Sequence, residues 1–153
     1  MKVLVLTVSY PTKERPCNGL YIRDQCVELQ RQGHRVTIIH PVPLGTRRSL
    51  RLPRSLMDEG VEVRFPRYAR LPGYSALEFA GPLLGLRLLP LLLRKFDLIH
   101  AHGILVTGHA AQFLSWVSGV PYVVSVHGEP PSESLTRPNV PANSKEAQSW
   151  RIL

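Results

Sequence analysis

Apolar residues along the chain fall into short, nearly unbroken runs separated by segments of helical spacing. The run "KVLVLTVSY" at residues 2–10 is rich in β-branched and aliphatic side chains, the pattern of a strand buried on both faces of a parallel sheet. "PTKERPCNG" interrupts it. From residue 20 to 32 the spacing of Ile22, Cys26 and Leu29 predicts a helix, and Gly33 is placed as the residue just past its end. A second strand follows as "HRVTIIHPV" at residues 34–42, halted by Pro41 and Pro43, and "VEVRFP" at 61–66 alternates as a third strand nearer the sheet edge. A leucine-rich segment at 76–95 leads into "FDLIHAH" as strand four, "ILVTGHAAQFLSWVSG" as a helix ending near Gly119, and "VPYVVSVHG" as strand five. Alternating strands and helices build parallel sheets through right-handed crossovers. The expected fold is therefore α/β: a Rossmann-like open parallel sheet of order 3-2-1-4-5 with helices on both faces.

Two stretches resist that pattern. In the leucine-rich segment Arg87 interrupts the apolar run and Pro82 and Pro90 sit inside it, whereas a spanning helix needs about 20 apolar residues. Two readings stay open: a helix packed on the sheet with a proline kink, or a helix partly exposed at a membrane surface. Beyond Glu129 the chain loses periodicity and becomes Pro- and Ser-rich, so 1–130 is expected as the folded domain and 131–153 as an irregular tail.

Composition narrows the class. With 153 residues the chain has the length of one domain, and 44% hydrophobic with 20% charged residues is the balance of a globular protein. The net charge of +8 is uneven, because residues 47–70 hold seven Arg against Asp58, Glu59 and Glu62. Arg47, Arg48, Arg51 and Arg54 there suit a solvated loop, or contact with phosphates or an anionic membrane surface. Nucleic acid is not an expected partner, since no interleaved aromatics or known module accompany the charge. Cys17 and Cys26 form no CxxC pair and are expected as free thiols, and no metal site is expected. No cleavage site follows the first apolar run, which is read as a strand rather than a signal peptide, in keeping with a cytoplasmic protein at most peripheral on the inner face of a membrane.

In an open parallel sheet the ligand crevice lies beyond the carboxyl ends of the strands, where strand order reverses. That rule puts the loop from Tyr10 to Gly19, the pair His100 and His102, and His127 with Glu129 on one rim. Two His at i, i+2 lack a third ligand of recognisable spacing. His102, nearer the strand end, is the one expected to face the crevice, and His100 is expected as a hydrogen-bonded polar residue under the helix layer. Gly19 permits close backbone approach at a helix N-terminus, although a plain turn and cap at Asn18 and Gly19 explains it equally. No G-x-G-x-x-G or P-loop pattern is present.

Four segments in register, "GLY", "LQRQGHRV", "DLIHAH" and "PYVVSVHG", closely resemble the N-terminal domain of GT-B glycosyltransferases of the large retaining family 4. The resemblance covers residues 1 to about 130. It implies the acceptor-side lobe of an enzyme that transfers a sugar from a nucleotide sugar to a glycan or lipid acceptor, with no bound metal or cofactor. It further implies that Gly19 approaches the donor phosphates and that His127 contacts the transferred sugar near the reacting centre. His102 and the loop from Tyr10 to Asn18 would line the acceptor side, with Glu129 as the acidic residue after the His-Gly pair. The donor-binding lobe of such enzymes, with its paired glutamates, has no counterpart in these residues, so the chain alone is expected to be inactive. A non-enzymatic membrane-surface module built on the Arg-rich loop and Leu-rich helix is the alternative.

Overall fold

The computed structural model describes residues 1–69, 75–92 and 95–127; Glu129 and the expected tail lie outside the described residues. In chain order the elements are β1 (Lys2–Thr7), α1 (Leu20–Arg31), β2 (Arg35–Ile39), β3 (Val42–Pro43), α2 (Arg47–Arg51), β4 (Ser55–Asp58), β5 (Val61–Arg64), β6 (Arg67–Tyr68), α3 (Ser75–Leu92), β7 (Leu98–His102), α4 (Val106–Ser118) and β8 (Tyr122–Ser125). The main sheet runs β4-β5-β2-β1-β7-β8. Five of its strands are parallel and stand in the order expected from the sequence, while β4 pairs antiparallel with β5 at the edge. β3 and β6 form a separate two-stranded parallel ladder.

Residue chemistry accounts for these elements. α1 ends in a Schellman turn: Gly33 at φ 87° allows its N–H to reach the Gln30 carbonyl at 3.0 Å and the His34 N–H to reach Leu29 at 3.1 Å. The β4–β5 hairpin turns through Glu59 (φ 46°) and Gly60 (φ 84°). Positive φ at both central residues is the twist that a two-residue hairpin needs.

The sheet is covered on both faces. Ile22, Cys26 and Val27 of α1 pack over Val3, Val5, Ile38 and Val63, and on the other face Leu84, Leu88, Ala110 and Leu114 of α3 and α4 pack over Leu4, Leu6, Ile99 and Ala101. Each large aliphatic side chain so buried contributes about 1.5–3 kcal/mol. α3 continues through Pro82 and Pro90, with Leu84 and Leu88 inward and Leu83 and Leu86 exposed. It is a helix packed on the sheet, and no described helix is long and apolar enough to cross a membrane. Its Gly81 lies against His109 and the Val106 carbonyl, and a Cβ at Gly85 would come to 2.5 Å from the Phe113 ring. The two helices thus approach backbone to side chain.

Two polar anchors fix the loops. The Tyr10 hydroxyl donates to Asp58 at 2.7 Å, and Arg23 donates to both Asp58 oxygens at 2.8 and 2.9 Å and to Glu59 at 2.7 Å. Arg23 holds the Asp58 carboxyl below its ordinary range, while burial and then Asp58 push the Tyr10 phenol up. The arginine-rich segment does not stand as one stripe: Arg51 pairs with Glu14 at 2.9 Å, and Arg67 folds inward onto the carbonyls of Ser49, Leu52 and Phe65. Both cysteines are free thiols; Cys17 is exposed, whereas burial of Cys26 pushes its thiol up to about 12.

Candidate functional site at the switch point of the sheet

β1 lies between β2 and β7, so strand order reverses at the β1–β7 pair, where Thr7 stands opposite His102. β8 continues the sheet, with Ser125 opposite His102, and carries the chain to His127 two residues on. Alternation puts Ile99 and Ala101 of β7 under α3 and α4, which leaves His100 and His102 on the α1 face. Three imidazoles therefore gather at one place. His100 Nε2 lies 2.8 Å from Ser125 Oγ, and His102 Nδ1 lies 2.8 Å from His127 Nε2. The rings of His102 and His127 stack at 5.1 Å, those of His100 and His102 tilt at 4.2 Å, and Tyr21 meets His127 edge-on at 4.8 Å.

The local chain holds this cluster rigidly. Thr107, in the first turn of α4, donates its hydroxyl to the carbonyls of His102 and Gly103, tying the helix start to the strand end. Thr7 Oγ1 accepts from Ser9 N–H at 3.0 Å and fixes the turn out of β1. His102 is 3% exposed. Burial first, and then the neighbouring His100 and His127, push its pKa from 6.5 down to about 4, so it is neutral near pH 7.

A neutral imidazole has one N–H to place. His102 Nε2 is buried without a partner, and a proton there would be an unmatched buried donor, whereas a proton on Nδ1 donates to His127. The second arrangement costs less. It makes His127 Nε2 the acceptor and leaves His127 Nδ1, which has no partner among the described residues, as the atom that can donate to a ligand.

The shift has a thermodynamic signature. Between pH 6.5 and about 4 the unfolded chain binds a proton at His102 that the folded chain refuses, so stability is full above 6.5 and is lost as pH falls through the window. His100 is shifted in the same direction, mainly by burial. Urea midpoints should therefore fall steadily from pH 6.5 to 4, with a loss of up to about 3 kcal/mol from His102, and His102→Phe should flatten part of that slope. A midpoint level across the window in the unmodified protein would contradict the assignment.

A cavity of about 90 Å³ opens here, lined by Thr7, Val8, Ser9, Tyr21, Ile22, His102, Gly103 and His127. Ligand pockets for whole small molecules run to about 300–1,000 Å³. This one accepts a hydroxyl-sized polar group, with the remainder of any ligand lying across the rim.

The expected site residues divide. His102 and His127 meet directly, and His127 is exposed on the rim. Gly19 is buried at φ 71°, and the space a Cβ would need is filled by the Ser9 carbonyl, so this glycine is required by the chain's own backbone. Asn18 is half-buried, its N–H donating to the Arg15 carbonyl. Tyr10 is 1% exposed with its hydroxyl committed to Asp58, outside the lining of the histidine cavity. Glu129 lies outside the described residues. Among the described residues no three His, Cys, Asp or Glu side chains converge as a metal site. Thr7, Ser9 and Tyr21 were not foreseen; the aromatic at the second position after Gly19 was the available signal for Tyr21.

Fold and site together define a Rossmann-like lobe whose polar groups converge at the topological switch point, where open α/β sheets place their ligand crevice. Residues 19–151 match the glycosyl transferase 4-like domain, and the chain belongs to that family. It is 32% identical over 145 residues to the "Putative teichuronic acid biosynthesis glycosyltransferase TuaC" of Bacillus subtilis (strain 168), an alignment covering 84% of this chain and 36% of that protein. The chain thus spans about a third of that relative's length.

Proposed function

We propose that this chain is the acceptor-side lobe of a glycosyltransferase that moves a sugar from a nucleotide sugar to a glycan or lipid acceptor. The observation carrying this reading is the His102–His127 pair at the β1–β7 switch point, where a neutral buried imidazole orients an exposed one over a hydroxyl-sized cavity. His127 then contacts the sugar being transferred, through the Nδ1–H that the pair leaves free. His102 is a positioning residue. The small cavity suits a cleft shared with a second lobe, since holding two substrates in reacting geometry supplies much of the rate. The name of the Bacillus relative favours a glycan under construction as acceptor.

The test is a transfer assay with a panel of nucleotide sugars and glycan acceptors, using the domain joined to a donor-binding second lobe. Labelled sugar should appear in the acceptor with its anomeric configuration retained. The 153 residues alone should give no turnover. Inverted product would overturn the retaining reading, and full turnover by the lobe by itself would overturn the two-lobe reading.

A further inference from the structure

A second hollow, larger than the histidine cavity, lies elsewhere on the described surface. It is a cleft of about 760 Å³ between the β5 end of the sheet and the second half of α3, on the face opposite α1. Its floor is apolar: Ile39, Phe65 and Leu88 are all at most 2% exposed. Four guanidinium groups stand around it, from Arg54, Arg64, Arg67 and Arg87, and no Asp or Glu is among its described lining residues.

The four are not equivalent. Arg64 is paired with Glu62 at 2.7 Å. Arg67 keeps its charge unneutralised, because its partners are backbone carbonyls. Arg54 and Arg87 are exposed on the rim, and their side chains make no hydrogen bond or ion pair with any described residue. Three cations facing one cleft without a carboxylate raise each other's energy, and an anion between them removes that cost. Guanidinium forks match phosphate oxygens in geometry as well as in charge. A free inorganic anion would leave the rest of the volume unfilled, over Leu88, Pro90 and Leu91.

We propose that this cleft binds the phosphate group of an amphiphilic lipid, with the phosphate held by Arg54, Arg67 and Arg87 and the start of the apolar chain laid along Leu88, Pro90 and Leu91. The site is separate from the histidine cavity, which shares none of its lining, and it does not depend on the sugar-transfer reading.

The experiment compares co-sedimentation of the protein with phosphatidylcholine vesicles and with vesicles that also contain phosphatidic acid, alongside a calorimetric titration with inorganic diphosphate. Binding is expected to the phosphatidic acid vesicles and to be weakened about tenfold or more in R54Q/R87Q, since each cation near an anionic surface contributes roughly that order of affinity. Both side chains are exposed and unpaired, so the variant should fold; its unfolding midpoint is the check. R35Q/R47Q removes the same charge from exposed positions outside the cleft and should retain binding. Equal loss in the two variants would reduce the effect to general surface charge and overturn the site. Binding of diphosphate without binding of the lipid vesicles would overturn the amphiphile, and no dependence on phosphatidic acid would do the same.

Discussion

Replacing His127 by alanine is expected to lower kcat for sugar transfer by about 10²- to 10³-fold, the loss that follows removal of one preorganised donor from a reacting centre. Acceptor KM should change far less, because the imidazole is proposed to act on the transferred sugar of the donor rather than on the acceptor. The substitution also takes the acceptor from His102 Nδ1–H, a buried donor whose loss costs about 1–3 kcal/mol unless water replaces it, so the unfolding midpoint is read alongside kcat. His102→Phe tests the partner separately. If His102 only orients His127, this variant retains part of the activity, with a displaced pH profile and an unchanged acceptor KM. A His127→Ala enzyme with kcat within about threefold of the unmodified one would remove this residue from the chemistry.

Gly19→Ala is expected to lose more stability than the same change at Gly33, Gly45, Gly60 or Gly119. Two costs combine. The backbone sits at φ 71°, where an L side chain is strained, and the new Cβ would lie 2.6 Å from the Ser9 carbonyl carbon, which cannot swing aside as a side-chain tip can. Left-handed strain costs about 1–3 kcal/mol and overpacking a similar amount, which together approach the whole stability of a small domain. Gly33→Ala is the internal comparison, because it shares the positive φ but has nothing within 4 Å of the added carbon. Urea unfolding of the two variants should separate them by at least about 1 kcal/mol. Equal losses would show that the β1–α1 loop does not press on Gly19.

The parallel part of the fold was legible because each strand is a continuous apolar run, and such runs occur where both faces are covered. β4 was not legible. Its four residues Ser55–Asp58 alternate between exposed and half-buried, follow a dense arginine stretch, and pair on one side only, so nothing in their composition separates them from a loop. The Glu59-Gly60 turn was the clue, since a glycine between two short runs is a hairpin signal.

The site was legible where strand ends carried polar residues and opaque where packing decided. His102 and His127 announce themselves as imidazoles at the ends of buried strands. Tyr10 looks similar at the end of β1, yet the hairpin brings Asp58 to its hydroxyl from 48 residues away. Gly19 suits both close backbone approach to a ligand and a plain turn, and only the packed structure shows that Ser9 fills the place of its missing Cβ. Arg54, Arg64 and Arg67 belong to one basic stretch of sequence, while the cleft joins them to Arg87 of α3 and is not lined by Arg47 or Arg51. Pairings made across long sequence distances leave no local periodicity to read.

The glycines of α3 bear on the mechanics of the lobe. With Gly81 seated against His109 and Gly85 against Phe113, the two helices interlock like gear teeth, and sliding one along the other would drive ring atoms into backbone. Shear between them is closed off, so α3 and α4 travel as one plate. The near end of that plate is bolted to the end of β7 through Thr107, and its far end forms one wall of the arginine cleft. Displacing the strand end beside the histidines would therefore tilt that wall.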